Sequence, residues 1–169
     1  MKFQFQFALL LTVSTFVLSS PFIANSKSAL SNMRGGIGKL KISERKWYKY
    51  KEHCYYSSED LTDWFTAENS CRKMDGYLVK FDEKAENEAI SSNRRLKKEH
   101  YWIGLTDLKE GEYRWIYDQT KATFLPWTRG YGASGTKYNC VMLQRKIAKW
   151  IDYSCGYKWR YICESDHCY

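Results

Sequence analysis

All six cysteines of this chain, Cys54, Cys71, Cys140, Cys155, Cys163 and Cys168, follow an apolar leader, and the leader sets their chemistry. Met1 and Lys2 precede the run FALLLTVSTFVL from Phe7 to Leu18, and Ser19 and Ser20 close it. That layout reads as a secretory signal peptide over residues 1–20. The run is too short to span a bilayer, which takes roughly 20 residues, and no other stretch is apolar enough to anchor the chain in a membrane. A secreted, extracellular protein is expected, and in that compartment disulfides are the default state of cysteine. Six cysteines admit many pairings, and spacing alone does not choose among them. Zinc is the rival reading, because His53 adjoins Cys54 and His167 adjoins Cys168. The chain has no C-x-x-C pair to support it, so no metal is expected there.

A length of 169 residues suits one core with appended segments. The formal charge of +8 includes Lys2, the one charged residue before Lys27, and so becomes +7 once the leader is removed. Much of it is local: Arg34, Lys39, Lys41, Arg45, Lys46, Lys49 and Lys51 face Glu44 alone between residues 34 and 51. Such a balance attracts anionic partners over long range, or serves only as a solvated basic surface. Nucleic acid is a poor partner for an exported chain. Residues 25–46 lack aromatic side chains and combine Ser, Gly and Lys, which marks 21–46 as a flexible basic extension and 47–169 as the folded domain.

Within that domain, Trp47, Tyr48, Tyr50 and Tyr55 alternate with lysines and predict a strand or hairpin. Trp64, Ala67, Cys71 and Met74 recur at helical spacing, with Thr62 or Asp63 to cap the start and Gly76 to end it. The short strand YLVKF follows, and Asp82 offers the cap of a second helix through Ala85, Ala89 and Leu96. From residue 100 onward the chain turns to brief β-rich runs, HYWIGLTDL, EYRWIYD, NCVML, KWIDYSC and WRYICE, broken by turns such as Lys109-Glu110-Gly111. Two helices followed by many short strands describe an α+β domain.

AENSC in the first helix, WIGL at Trp102–Leu105, Trp115, NCVML at Asn139–Leu143, KWID at Lys149–Asp152 and YICE at Tyr161–Glu164 together resemble the C-type lectin-like domain, of the small secreted invertebrate kind. The six motifs keep the family's order and spacing from about Trp47 to Glu164. The resemblance implies two helices, two small antiparallel sheets and a long loop, stapled by disulfides. It pairs Cys71 with Cys163 and Cys140 with Cys155. Closures of about 90 and about 16 residues contribute about 4 to 5 and about 3 kcal/mol in the chain-entropy picture. Cys54 and Cys168 are left over, and because the family brings its chain ends side by side, a third bridge between them is expected. Bonds from these two cysteines to another chain, giving a covalent dimer, are the alternative.

The resemblance also carries a test of chemistry. In sugar-binding members a calcium ion in the long loop holds two hydroxyls of a saccharide, and calcium needs six to eight oxygens at once. Counting on from Trp127, the family's ligand triplet falls on Tyr131, Gly132 and Ala133, its next acidic position on Tyr138, and its Asn-Asp pair on Ile151 and Asp152. Gly132 falls on the triplet's proline, which is not a ligand; of the five ligand positions only Asp152 survives, and Arg129 and Lys137 would repel a divalent cation. Asp107 and Glu110 lie near an auxiliary calcium position whose partner across the loop is now Ser134. With Asp152 they are at best weak metal candidates, so no calcium cofactor is expected.

In place of the ion, Trp127, Arg129, Tyr131, Lys137, Tyr138 and Asp152 form the candidate ligand-binding set, aromatic faces beside cationic donors. Those residue types suit a glycan or glycoprotein, including an acidic one, and they also concentrate binding energy at protein interfaces. Nothing in the chain resembles a nucleophile motif or a phosphate cradle, so an enzyme is not expected. The expected function is a secreted, calcium-independent, carbohydrate-binding lectin-like module. A protein-binding module of immune, venom or salivary type is the alternative.

Overall fold

Tyrosines spaced two apart build the first hairpin, in which β1 (Tyr48–Tyr50) pairs antiparallel with β2 (His53–Ser57). The computed structural model describes residues 47–96, 100–109 and 111–168. The leader and basic extension expected over residues 1–46 lie outside the described residues, as does Glu110.

Helix α1 (Trp64–Arg72) starts where an Asp63 carboxylate oxygen accepts the Thr66 N–H at 2.9 Å, satisfying one of the free donors of the first turn. It buries Trp64, Ala67 and Cys71, three of the four residues of the predicted stripe; Met74 lies beyond its end and is half-buried. Its end differs from the expectation. Asp75, with φ of 57°, takes the left-handed position, and Gly76 serves another purpose. A Cβ on Gly76 would stand 2.5 Å from the Glu164 carbonyl oxygen, so the glycine lets the chain pass close against the last strand.

Strand β3 (Tyr77–Leu78) leads to α2 (Lys84–Ser92), and here the predicted face is shifted. Asp82 does not cap the helix; Glu83 occupies that position without a side-chain bond. Ala85 is exposed, Leu96 lies beyond the helix, and the buried residues are Asn87, Ile90 and Ser91. The reason is polar. Asn87 donates to the Ala148 carbonyl at 2.8 Å and accepts from the Trp150 indole at 3.0 Å, so an amide is buried where periodicity looks for an alanine.

The remaining strands are β4 (His100–Thr106), β5 (Arg114–Trp115), β6 (Cys140–Gln144), β7 (Lys149–Tyr153) and β8 (Arg160–Ser165). One group joins β1, β2, β3 and β8, the other β4, β5, β6 and β7, with antiparallel pairing inside each. The groups meet where β8 runs parallel to β4. Two apolar clusters fill the interior. Phe81, Ile103, Trp115, Leu143 and Trp150 belong to the first; Trp64, Trp102, Met142, Cys71 and Cys163 belong to the second. Three disulfides staple the domain, Cys71–Cys163 inside the second cluster, Cys140–Cys155 across β6 and the end of β7, and Cys54–Cys168 between β2 and the segment after β8. No free cysteine remains among the described residues.

Glu164 is 3 % exposed where β2, β3 and β8 meet. It accepts the Lys80 N–H at 3.0 Å, and the His53 Nδ1 stands 3.0 Å from its other oxygen. Burial pushes its carboxyl up from 4.5 to about 8, and the charges of Glu86 and Asp166 add to the rise. Between those two values folding takes up a proton, so this group's contribution is complete at acid pH and is lost as pH rises through about 8. The melting temperature is expected to fall between pH 5 and pH 8, and to fall less in Glu164→Gln. A variant that follows the wild-type profile would contradict this assignment.

Candidate functional site

The long loop between β5 and β6 is fastened to the domain at its base. The Thr128 N–H donates to the Trp150 carbonyl at 2.8 Å, and the Trp150 N–H donates to the Pro126 carbonyl at 3.0 Å, a parallel bridge onto β7. Trp127, between these bonds, turns inward: its ring lies 4.7 Å from that of Tyr113 and 6.1 Å from that of Trp150. It also covers Gly132, where a Cβ would fall 2.5 Å from the indole and where φ is 92°. Only glycine meets both conditions.

Asp152 holds the loop's far end. It projects from β7, is 1 % exposed, and accepts four hydrogen bonds. Oδ1 accepts from the Gly132 N–H at 3.0 Å and the Ser134 hydroxyl at 2.8 Å; Oδ2 accepts from the Ser134 N–H at 2.8 Å and the Tyr113 hydroxyl at 3.1 Å. Burial works to raise this carboxyl, but the four donors outweigh it and hold the group below the usual carboxylate range. The charge is therefore retained and compensated locally.

The candidate set divides into two kinds. Arg129, Tyr131, Lys137 and Tyr138 are exposed, carried on turns in which the Tyr131 N–H donates to Thr128 and the Tyr138 N–H to Gly135. Trp127, half-buried, is instead the loop's packing centre, and Asp152, buried, is its hydrogen-bond centre. Asp107 also serves locally, accepting the Glu112 N–H at 2.9 Å across its turn. Ser134 faces Asp152 and not Asp107. No group of three His, Cys, Asp or Glu side chains among the described residues is arranged to hold a metal ion.

From residue 119 to residue 151 the chain carries Lys121, Arg129, Lys137, Arg145, Lys146 and Lys149 and no carboxylate at all. The flanking Asp152 is buried and saturated, so it contributes little negative field at the loop surface. This region can hold anions or electron-rich faces; it has no group placed for acid–base or nucleophilic chemistry.

Residues 60–165 match the family model described as Lectin C-type domain. The chain belongs to the C-type lectin domain family. A perlucin-like protein of Mytilus galloprovincialis is 33 % identical over 123 residues, covering 69 % of this chain and 79 % of that protein. Among solved structures, the carbohydrate-recognition domain of the mouse scavenger receptor C-type lectin is similar at a TM-score of 0.67 and 26 % identity, covering 73 % of this chain and 95 % of that one. The C-type lectin domain of murine dendritic cell inhibitory receptor 2, in complex with N-glycan, is similar at 0.61 and 31 %, covering 70 % and 94 %. C-type lectin domains are non-enzymatic binding modules, and no helix among the described residues of this one is long and apolar enough to cross a membrane.

The sequence does not single out Tyr113 and sets Ser134 opposite Asp107, although the two complete the Asp152 cluster. They lie 39 and 18 residues from it, and no local pattern links them.

Proposed function

We propose that this C-type lectin domain is a secreted module that recognises a carbohydrate or glycoconjugate through its long loop, without the family's usual calcium-dependent sugar site. The leader supports secretion. The observation that carries the reading is the state of Asp152: the one remaining carboxylate of the calcium address already accepts four protein donors. Tyr131, Ala133, Tyr138 and Ile151 bring no carboxylate or amide side chain to the other four positions. Such a donor set does not fit an ion that takes six to eight oxygens. Hydrogen bonds organise the loop in the ion's place, and they leave Arg129, Tyr131, Lys137 and Tyr138 free to meet a ligand. The N-glycan complex of the murine relative supports a glycan as the ligand class.

Chromatography on mannose, galactose and heparin resins, with and without chelator, tests this directly. Retention on at least one resin that chelator does not reverse is expected. Elution by chelator would restore a calcium site, and passage through all three would favour a protein partner.

A further inference from the structure

The loop's last exposed tyrosine, Tyr138, begins a run of rings whose other members lie outside the family's calcium address. Tyr138 stands 5.9 Å from Tyr153, Tyr153 stands 5.0 Å from Tyr157, and Tyr157 stacks on Trp159 at 5.4 Å with 27° between the planes. Tyr138 is 39 % exposed and Tyr157 50 %, while Tyr153 and Trp159 are half-buried supports between and behind them. The run is rigid. Cys140 lies opposite Tyr153 in the β6–β7 register, and the Cys140–Cys155 disulfide ties the strand after Tyr138 to the turn before Tyr157.

Charge gives the run a direction. Lys137, exposed, adjoins Tyr138 and the cationic loop lies upstream, whereas the charge of Lys158 bears on the Asp63 carboxylate at the other end. At the other end Trp159 exchanges backbone hydrogen bonds with Thr62, which brings the Asp60–Asp63 segment alongside. An anionic polymer would therefore be drawn from Tyr157 toward the loop and turned away beyond Trp159.

Resting on the proposed glycan reading, we infer that the ligand is an extended acidic polysaccharide, lying along Tyr138 and Tyr157 with its anionic groups on Lys137 and the cationic loop. Aromatic faces carry negative charge density and take up the C–H face of a pyranose ring, and Tyr138 and Tyr157, two exposed rings with Tyr153 between them, offer separate places for sugars of one chain. A single terminal sugar would use one such ring. A ladder favours a polymer.

Heparin fragments of increasing length, titrated by calorimetry in chelator, test the inference, with neutral dextran and polyglutamate as controls. Wild type is expected to bind heparin more tightly as fragments lengthen, and to bind both controls much more weakly. Tyr138→Ala and Tyr157→Ala, which leave the charge unchanged, are each expected to weaken heparin roughly five- to tenfold. Lys137→Gln is expected to lower the slope of log affinity against log salt by roughly one. Circular dichroism checks that the variants are folded. If the two tyrosine variants bind heparin as wild type does while Arg129→Gln or Tyr131→Ala weakens it, the ladder is overturned and the loop reading stands. Polyglutamate binding as tightly as heparin of equal charge would likewise overturn the ladder. Absence of any glycan binding overturns both.

Discussion

Asp152→Ala is expected to lower the melting temperature by roughly 10 °C, the effect of losing about 3 kcal/mol from a domain of this size. The substitution strands the N–H groups of Gly132 and Ser134 together with two hydroxyls, all of which donate to the carboxylate. Hydrogen bonds to a buried charge are among the costlier ones to break. Amide exchange between residues 130 and 136 should accelerate in the variant, because the loop's base bonds at Thr128 and Trp150 would persist while its far end is released. The pH dependence has a definite sign: a carboxyl held below its ordinary 3.8 in the folded state stabilises above that value, and the contribution is lost as pH falls through the lower one. Millimolar calcium is expected to leave the wild-type melting temperature unchanged. A calcium-dependent rise that Asp152→Ala abolishes would overturn the view that hydrogen bonds organise this loop.

Removal of the Cys71–Cys163 disulfide by paired alanine substitution is expected to leave the domain largely unfolded at 37 °C. Taken alone, a loop of about 90 residues predicts 4 to 5 kcal/mol. Cys54–Cys168 encloses it, however, and keeps β2 joined to the segment after β8 when the inner bridge is cut. The entropic loss then falls to about 3 kcal/mol. Both sulfurs are fully buried against Trp64, Trp102 and Leu78, so their deletion adds about 1 to 2 kcal/mol of lost packing. The total, about 4 to 5 kcal/mol, approaches the low end of an ordinary domain's stability, about 5 to 15 kcal/mol. Cutting Cys54–Cys168 instead is expected to cost the entropic part with less packing loss, since Cys168 is exposed. Urea unfolding of the two double variants separates these contributions; equal midpoints would show that burial of the inner bridge adds nothing.

Different residues explain why some features were legible in sequence and others were not. Trp64, Ala67 and Cys71 share a helical face because a 3.6-residue period is local, and Asp63 caps the helix through a partner three residues away. The same reading failed at α2, where Asn87 is buried through bonds to residues 61 and 63 positions distant. Gly76 looked like a helix terminator because glycine permits positive φ, yet its close neighbour is the carbonyl of Glu164. The poverty of calcium donors in the long loop was visible at once, since a missing carboxylate is a fact of composition. The inward turn of Trp127 was not visible, because an indole beside a flexible segment is compatible with either face.

The order of motifs by itself determined the kind of domain this is, and the identities at Tyr131, Ala133, Tyr138 and Ile151 determined which side-chain oxygens are missing from the long loop. Tertiary structure alone decided that Asp152 is spent on Gly132, Ser134 and Tyr113, and that Tyr138, Tyr153, Tyr157 and Trp159 form one continuous run. The physical reason is the range of the forces concerned. Charge and donor count belong to each residue wherever it lies, whereas hydrogen bonds and ring contacts act over a few ångströms, so their partners are known only after the chain has folded back on itself.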